Sequence, residues 1–337
     1  MAVETDLRTD EPGPTTAGPD RTWAWVLLLL VAVAVGARVL HPMQIPWLRN
    51  LLIVFGSLLI EAMPFVALGA LVSAAIEVFV PASSFAKIAR LPRAVQLPAA
   101  AFAGMAFPVC ECGSVPVARR LARKGLSPAA AVTFMLAAPI VNPVVIASTY
   151  VAYRGRDSQW LMVIGRFTLG LIVAMCVGWV IGALRPDGLL RADATIDDPD
   201  DHDEPRARRF FTHLSGDLIF MARFLILGAL IAATIQTFVP ASIGNRVATL
   251  PVISLLAMMF LAFILSLCSE SDAFVAASFT AFAPSAQLAF LVFGPMVDLK
   301  LGALYAGTFS KGFFRTVLIV VTAVTLVATL WVQVIWG

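Results

Sequence analysis

Long apolar runs dominate the chain, and the polar residues gather in the short stretches between them. A membrane-spanning helix needs about 20 apolar residues, and several runs reach or approach that length. The pattern predicts an all-α polytopic membrane protein with about seven full spans and two shorter re-entrant helical hairpins, which enter and leave on one side. In the first half, the predicted full spans are residues 23–40, 51–80, 128–151 and 160–184.

Polar segments divide the chain into parts. We expect a disordered cytoplasmic tail at 1–22, an extra N-terminal transmembrane helix at 23–45, a transmembrane repeat at 50–184, a polar cytoplasmic linker at 185–212 and a second repeat at 213–337. The tail is acidic and rich in Pro, Gly and Thr, and it has no basic region of the kind that begins a secretory signal.

The two halves share short matches in the same order. Gly69-Ala70-Leu71 corresponds to Gly228-Ala229-Leu230, Val80-Pro81-Ala82-Ser83 to Val239-Pro240-Ala241-Ser242, Cys110 to Cys268, and Pro139 with Asn142 to Pro295 with Asp298. Matches that keep the same order predict an internal duplication, which is common among secondary transporters.

The repeats are predicted to be inverted. Residues 97–109 would make a helix of only about 20 Å, which suits a re-entrant hairpin better than a full crossing of about 30 Å. The loops around that hairpin carry seven basic residues: Lys87, Arg90, Arg93, Arg119, Arg120, Arg123 and Lys124. The equivalent second-half loops carry Arg246, so the positive-inside rule places the two hairpins on opposite sides. Parallel repeats with about nine spans are the alternative, because residues 250–267 are long enough to cross.

Composition supports the membrane assignment. The chain is 60% hydrophobic and 13% charged, whereas soluble domains carry about 25% charged residues. The formal net charge of +3 sits in the loops, and no nucleic-acid signature, nucleotide motif or catalytic triad is present. We therefore expect a multi-pass protein of the cell membrane with a cytoplasmic N-terminus, no enzyme activity and no cofactor.

The segment Cys110-Glu111-Cys112-Gly113-Ser114 places two thiols and a carboxylate at membrane depth. Two cysteines one residue apart can offer soft ligands to trivalent arsenic, copper(I) or zinc, so Cys110 and Cys112 are the metal candidates. Pro108, Gly113 and Pro116 predict a broken backbone here. A helix that starts near Ser114 would favour an anionic group. The alternative is that both cysteines are small packing residues at a tight turn.

The corresponding segment, Cys268-Ser269-Glu270-Ser271-Asp272, keeps one thiol and adds two carboxylates. We predict that substrate binds between the two segments, with Asn142 and Asp298 from the broken spans completing the site. The alternative for these two positions is a plain helix kink with a satisfied Asn. The proton-coupling candidates are Glu61, Glu111, Glu270 and Asp272. The alternative for Glu270 and Asp272 is that they are hydrated and line the mouth of the hairpin.

Three basic residues are candidates to neutralise acidic side chains of these segments and spans. Lys300 can reach Asp298 only if the helix is broken there, because residues two apart do not share a helical face. Arg166 and Arg223 are candidate counter-charges for Glu61.

The chain resembles the predicted permease family that contains the YraQ-like proteins and the organoarsenical permeases (ArsP). The resemblance is carried by residues 107–116 with Arg119-Arg120, by 138–143, by 268–274 and by 293–298, and it covers roughly residues 50–336. It implies a polytopic inner-membrane permease. Some relatives export trivalent organoarsenicals, and most have no assigned substrate.

Together these features predict a secondary-active permease that exports a small thiophilic or anionic solute by proton coupling. The expected partners are a small-molecule or metalloid substrate and the lipid bilayer, with no nucleic acid, and a homo-oligomer remains an open alternative. A membrane thiol redox protein and a channel or structural membrane component are the alternative functions.

Overall fold

A computed structural model of the chain describes residues 45–81, 88, 91–106, 109–184, 205–238, 251–310 and 312–336. The regular secondary structure in these ranges is helical. A compact body begins at Asn50. The predicted extra helix at 23–45, except for its last residue, and residues 185–204 of the predicted linker lie outside the described residues.

The helices follow one another through short connections. Their bounds are α1 Pro46–Phe79, α2 Arg93–Ala106, α3 Glu111–Arg123, α4 Pro128–Val141, α5 Pro143–Ala152, α6 Gln159–Leu184, α7 Arg206–Phe238, α8 Pro251–Leu265, α9 Asp272–Ser278, α10 Pro284–Phe293, α11 Leu299–Thr308 and α12 Phe313–Trp336. Proline at the first position of α4, α5 and α10 favours a helix start, because its missing N–H would have no partner there.

Five helical segments in the described part of the chain are long and apolar enough to cross a membrane. They are α1, α4 together with α5, α6, α7 and α12. This confirms the prediction of an all-α membrane protein. The number of spans and the re-entrant hairpins stay predictions.

Helices α4 and α10 form the centre of the fold. Every residue of α4 from Ala129 to Val141 is buried, and so is every residue of α10 from Ser285 to Phe293. The α4–α5 segment is 83% buried over its most apolar window, against 17% for α1 and for α12. The two peripheral helices expose large apolar side chains such as Ile60 and Trp331. A helix that is apolar on all sides belongs in the interior, whereas an apolar outer face suits lipid.

Two pairs of short helices carry the cysteine segments at their junctions. Helices α2 and α3 have 14 and 13 residues, which correspond to about 21 and 20 Å. Helices α8 and α9 have 15 and 7 residues. Each of these helices is shorter than the roughly 30 Å of a hydrocarbon core.

The packing pairs of the first half recur in the second half. Contacts of α2 with α4, α4 with α6 and α3 with α4 correspond to those of α8 with α10, α10 with α12 and α9 with α10. Across the halves, α3 contacts α11 and α9 contacts α5. The short helix after each cysteine segment therefore meets the broken helix pair of the other half.

Three local predictions differ from the structure. Helix α3 begins at Glu111, three residues before the expected start, and continues through Gly113 and Pro116. The backbone break lies at Cys110, which is extended and whose carbonyl accepts from Ser114 N. The basic end of the predicted linker is helical, because α7 begins at Arg206.

The third difference concerns the loop charges. Arg119 and Arg120, which were counted among the loop charges, lie within α3 and are buried. They therefore do not belong in a positive-inside count, which applies to loops.

Candidate functional site

The two cysteine segments meet at one buried contact. Ser269 Oγ donates to Glu111 Oε2 at 3.1 Å, and both residues are buried. Glu111 follows Cys110 and Ser269 follows Cys268, so the two residues occupy equivalent positions in the matched segments. A contact between two equivalent residues places them at the junction of the two halves.

We call the surrounding group the central site, and its members are Glu111, Cys268, Ser269, Glu270, Asp298 and Lys300. One ligand atom each from Glu111, Cys268 and Glu270 lies within 4.8 Å of the other two. Ser269 Oγ is also 3.4 Å from Glu270 Oε2. A serine hydroxyl carries one proton, so it can donate to only one of these two carboxylates at a time.

Lys300 supplies an ammonium group to the central site. Its Nζ lies 3.9 Å from Glu111 Oε1 and 3.9 Å from Asp298 Oδ2, and all three side chains are buried. Asp298 also caps α11, because its Oδ1 accepts from Leu301 N at 2.6 Å. The predicted condition for the Asp298–Lys300 pair is met, since the helix is broken at Asp298 and Lys300 can turn back toward it.

Several carboxylate oxygens of the central site have no hydrogen-bond donor among the described residues. They are Glu111 Oε1, Glu270 Oε1 and Asp298 Oδ2. A buried acceptor without a donor costs about 1–3 kcal/mol, and more when it is charged. Lys300 therefore stands near Glu111 and Asp298 without a hydrogen bond to either, and the buried oxygens favour a further cationic partner.

Arg166 of α6 holds the second cysteine segment in place. Its two terminal nitrogens donate to the two oxygens of Asp272, each at 2.8 Å. They also donate to Thr149 Oγ1 at 2.9 Å and to the carbonyl of Ser269 at 3.0 Å. We call these residues the Arg166 clamp. The prediction that Arg166 is a counter-charge of Glu61 is wrong, because its charge is committed to Asp272.

Glu61 of α1 contacts the second segment by another route. Ser271 Oγ donates to Glu61 Oε1 at 2.7 Å. Arg223, the other predicted counter-charge, lies over the ring of Phe220 at 5.8 Å. Glu61 therefore contacts the second cysteine segment through the hydroxyl group of Ser271, next to the central site.

The first segment contributes packing as well as chemistry. Cys110 and Cys112 are free thiols and both are buried. Ser114 Oγ turns back to the carbonyl of Glu111 at 2.9 Å. Gly113 allows a close approach of α3 to α1, because a Cβ atom on Gly69 would lie 2.4 Å from Gly113 Cα. The small residues thus fix where Glu111 sits.

Asn142 and Asp298 occupy equivalent helix breaks but make different contacts. Asn142 Oδ1 accepts from Val144 N at 2.9 Å and so caps α5. Asp298 caps α11 with one oxygen and reaches Lys300 with the other. The structure therefore brings Asp298 into the central site, whereas Asn142 serves the start of its helix.

Sequence reasoning missed a second buried ionic group, which we call the Asp217 cluster. Asp217 of α7 accepts from Ser73 Oγ at 2.7 Å and from Arg120 Nη2 at 3.3 Å. Arg119 Nη2 lies 3.9 Å from Asp217 Oδ1, and Arg120 Nη1 lies 3.4 Å from Glu77 Oε2. The signal for this cluster was Asp217 itself, an acid near the start of the predicted second transmembrane repeat.

Comparison with known proteins agrees with a membrane permease. The family described as a predicted permease (ArsP) matches residues 47–334. The chain is 38% identical over 289 residues to the UPF0718 protein YcgR of Bacillus subtilis, which covers 83% of this chain and 96% of that protein. It is 36% identical over 254 residues to a putative two-component membrane permease complex subunit of Streptococcus mutans, over 74% of this chain and 83% of that protein.

No solved structure matches the chain. The family match covers most of the chain, and the apolar helices agree with it, so the protein is a multi-pass membrane protein. The resemblance drawn from the cysteine segments is confirmed, and the chain belongs to the ArsP family of predicted permeases.

Proposed function

We propose that the protein is a secondary-active permease that exports a small thiophilic solute bound at the central site, with Glu111 and Glu270 carrying the coupled protons. The observation that carries the proposal is the buried contact between Ser269 and Glu111. It joins the two cysteine segments, and Glu111 and Glu270 each keep one oxygen that has no donor among the described residues. Ionisable groups at membrane depth commonly mark substrate or proton pathways.

An inverted repeat is part of the proposal. Each half would contribute three full crossings and one hairpin, and an odd number of crossings puts the second half upside down relative to the first. The short helices α2 and α8 and the recurring packing pairs support this arrangement. Rocking of one half against the other would then expose the central site to either side in turn.

The charge of the central site narrows the predicted solute class. Glu111 and Asp298 share the ammonium group of Lys300, and Glu270 adds a third carboxyl group to the site, which disfavours a free anion. The N-terminal turn of α3, which was expected to attract an anion, already holds Glu111. An acidic side chain at a helix N-terminus satisfies the helix dipole. The proposal therefore keeps the thiophilic solute and drops the anionic one.

Coupling follows from competition between the solute and the protons for one site, which holds Cys268 beside the two glutamates. With the site open to the outside, Glu111 and Glu270 take up protons. With the site open to the cytoplasm, the solute binds and displaces those protons, and the loaded site returns outward. Asp272 takes a positioning part in this scheme, because Arg166 already neutralises both of its oxygens.

Inside-out vesicles that contain the purified protein test the proposal. A trivalent organoarsenical is added as a thiophilic probe, and a pH-sensitive dye follows proton movement while uptake of the probe is measured. We expect uptake to be driven by an imposed pH gradient and to be lost in Glu111→Gln. Asp157→Asn is the matched control, because Asp157 is exposed in a loop.

The opposite result would be uptake that ignores the pH gradient and is equal in the wild type and Glu111→Gln. That outcome would indicate a channel and would contradict the proposed proton coupling.

A further inference from the structure

We infer that Cys268, Glu111 and Glu270 bind a borderline-soft divalent cation of the Zn²⁺ class as cargo, at the junction of the two halves. This inference rests on the proposed permease function and names the class of solute for the central site. It also moves the metal ligands away from the predicted pair, Cys110 and Cys112. The new ligand set combines one side chain from the first segment with two from the second.

The spacing of the three ligand atoms is close to that of a metal site. They lie within 4.8 Å of one another. Bond lengths of about 2.1 Å to oxygen and 2.3 Å to sulfur require separations of about 3.4–3.6 Å around a tetrahedral ion. Side-chain rotations that move the glutamate oxygens by about an ångström bring the three ligand atoms to these separations.

Two of the three ligands present oxygens that need a positive partner. Glu111 is 1% exposed, and its Oε1 accepts no hydrogen bond within the described part of the chain. Glu270 Oε1 likewise accepts no hydrogen bond from the described residues. Lys300 Nζ, at 3.9 Å from Glu111 Oε1, is too distant for a hydrogen bond. A bound cation would satisfy both oxygens at once.

The donor set selects the kind of cation. Magnesium and calcium prefer sites made only of oxygen atoms, whereas a thiolate favours zinc, cadmium and similar ions. Cysteine binds a metal as the thiolate rather than the thiol, so binding converts Cys268–SH and M²⁺ into a sulfur–metal bond and one free proton. Protons held by the two glutamates leave as well. Metal binding and proton release are therefore one event.

Cadmium titration of the purified protein in detergent tests the site. Thiolate ligation of Cd²⁺ produces a near-ultraviolet charge-transfer band, and Zn²⁺ competition measures the affinity for zinc. We expect the band to persist in the variant Cys110→Ser/Cys112→Ser/Cys176→Ser, which keeps Cys268 as the single thiol. We expect Cys268→Ser to lose the band, and Glu270→Gln to weaken binding by at least about tenfold.

Glu270→Gln also guards against misfolding, because Glu270 is only partly buried and the amide has nearly the same shape. A band that survives Cys268→Ser but disappears in Cys110→Ser/Cys112→Ser would overturn the inference in favour of the thiol pair. Unchanged Cd²⁺ affinity in Glu270→Gln would overturn it too.

The two proposals fail in different ways. Proton-coupled uptake of the organoarsenical by a protein that binds neither Cd²⁺ nor Zn²⁺ would overturn the cation site and leave the permease intact. Cd²⁺ binding that follows the predicted variants, without any proton-coupled flux, would support the cation site and remove the permease mechanism.

Discussion

The Arg166 clamp and the central site lie side by side and are both buried, yet their charges are paired in opposite ways. In the clamp, the two oxygens of Asp272 each receive a 2.8 Å bond from Arg166. In the central site, Lys300 stands 3.9 Å from each of two carboxylates and satisfies neither fully. Bidentate charge-assisted bonds are the strong ones, and the looser pairs leave capacity for another partner.

The difference in charge pairing separates two roles: the Arg166 clamp holds the second segment in place, and the central site can exchange its partners. A planar guanidinium fixed at both nitrogens orders the backbone of the second segment, since Arg166 also binds the carbonyl of Ser269. A flexible ammonium group between two acids can move toward either one. A carrier needs both properties at one place: a rigid frame, and groups whose partners can change.

Removal of the clamp should give the largest effect. Arg166→Met leaves Asp272 buried without its counter-charge, and we expect a loss of about 3–5 kcal/mol in the free energy of unfolding. Glu270→Gln should cost about 1 kcal/mol or less, because its carboxylate is already poorly paired. Denaturant unfolding in detergent measures both. A second change, Asp272→Asn in the Arg166→Met background, should recover part of the loss.

Equal destabilisation by Arg166→Met and Glu270→Gln would contradict the division between the two regions. So would a stable Asp272→Asn single variant that has lost only proton coupling, because Asp272 would then belong with Glu111.

The glycine contact that positions Glu111 should give the next largest effect. A Cβ atom on Gly69 would lie 2.4 Å from Gly113 Cα, so Gly69→Ala must push α3 away from α1. We expect a loss of about 1–3 kcal/mol together with weaker Cd²⁺ binding. Gly56→Ala in the same helix is the control, because a Cβ atom there meets nothing within 4 Å. Equal Cd²⁺ affinity in the two variants would show that the contact does not set the central site.

Lys300 competes with cargo for Glu111, so its removal should tighten cation binding. We expect Lys300→Met to raise Cd²⁺ affinity by about tenfold at alkaline pH, which corresponds to about 1.4 kcal/mol. Release of cargo should slow in vesicles, because Lys300 no longer competes with the cargo for Glu111. Lys124→Met is the control, since Lys124 binds the carbonyls that end α1. Weaker Cd²⁺ binding in Lys300→Met would mean that Lys300 shapes the site rather than competing for it.

The contact at the rim of the site should matter least. Ser271→Ala removes the bond to Glu61, and we expect a cost of about 1 kcal/mol in unfolding free energy. Cd²⁺ affinity should stay within about twofold, because Glu61 is not among the ligands. A large loss of affinity would bring Glu61 into the central site.

The sequence predicted the helix breaks and the residue types at them better than it predicted which charged side chains pair with one another. The two cysteine segments were predicted to lie together around one site, and Ser269 of the second donates to Glu111 of the first. The broken helix at Asp298 anticipated the approach of Lys300. These features depend on local residue types and on spacing along the chain, which a single sequence records directly.

Partners that are distant in sequence could not be predicted. Arg166 bonds to Asp272 across 106 residues, and nothing local distinguishes that acid from Glu61. The burial of Arg119 and Arg120 depends on Asp217 of another helix. Basic residues after a hydrophobic segment usually lie in a loop, and the ion pairs with Asp217 of α7 make these two an exception.

Helix α3 also has the geometry of a lever. Its contact with Gly69 is at Gly113, two residues from Glu111 and seven from Arg120. At 1.5 Å per residue, the two arms measure about 3 Å and about 10 Å. A tilt around that glycine fulcrum moves the far end about three times as much as the near end. A small adjustment of Glu111 around a bound ion would therefore be magnified at the far end, where Arg120 binds Asp217.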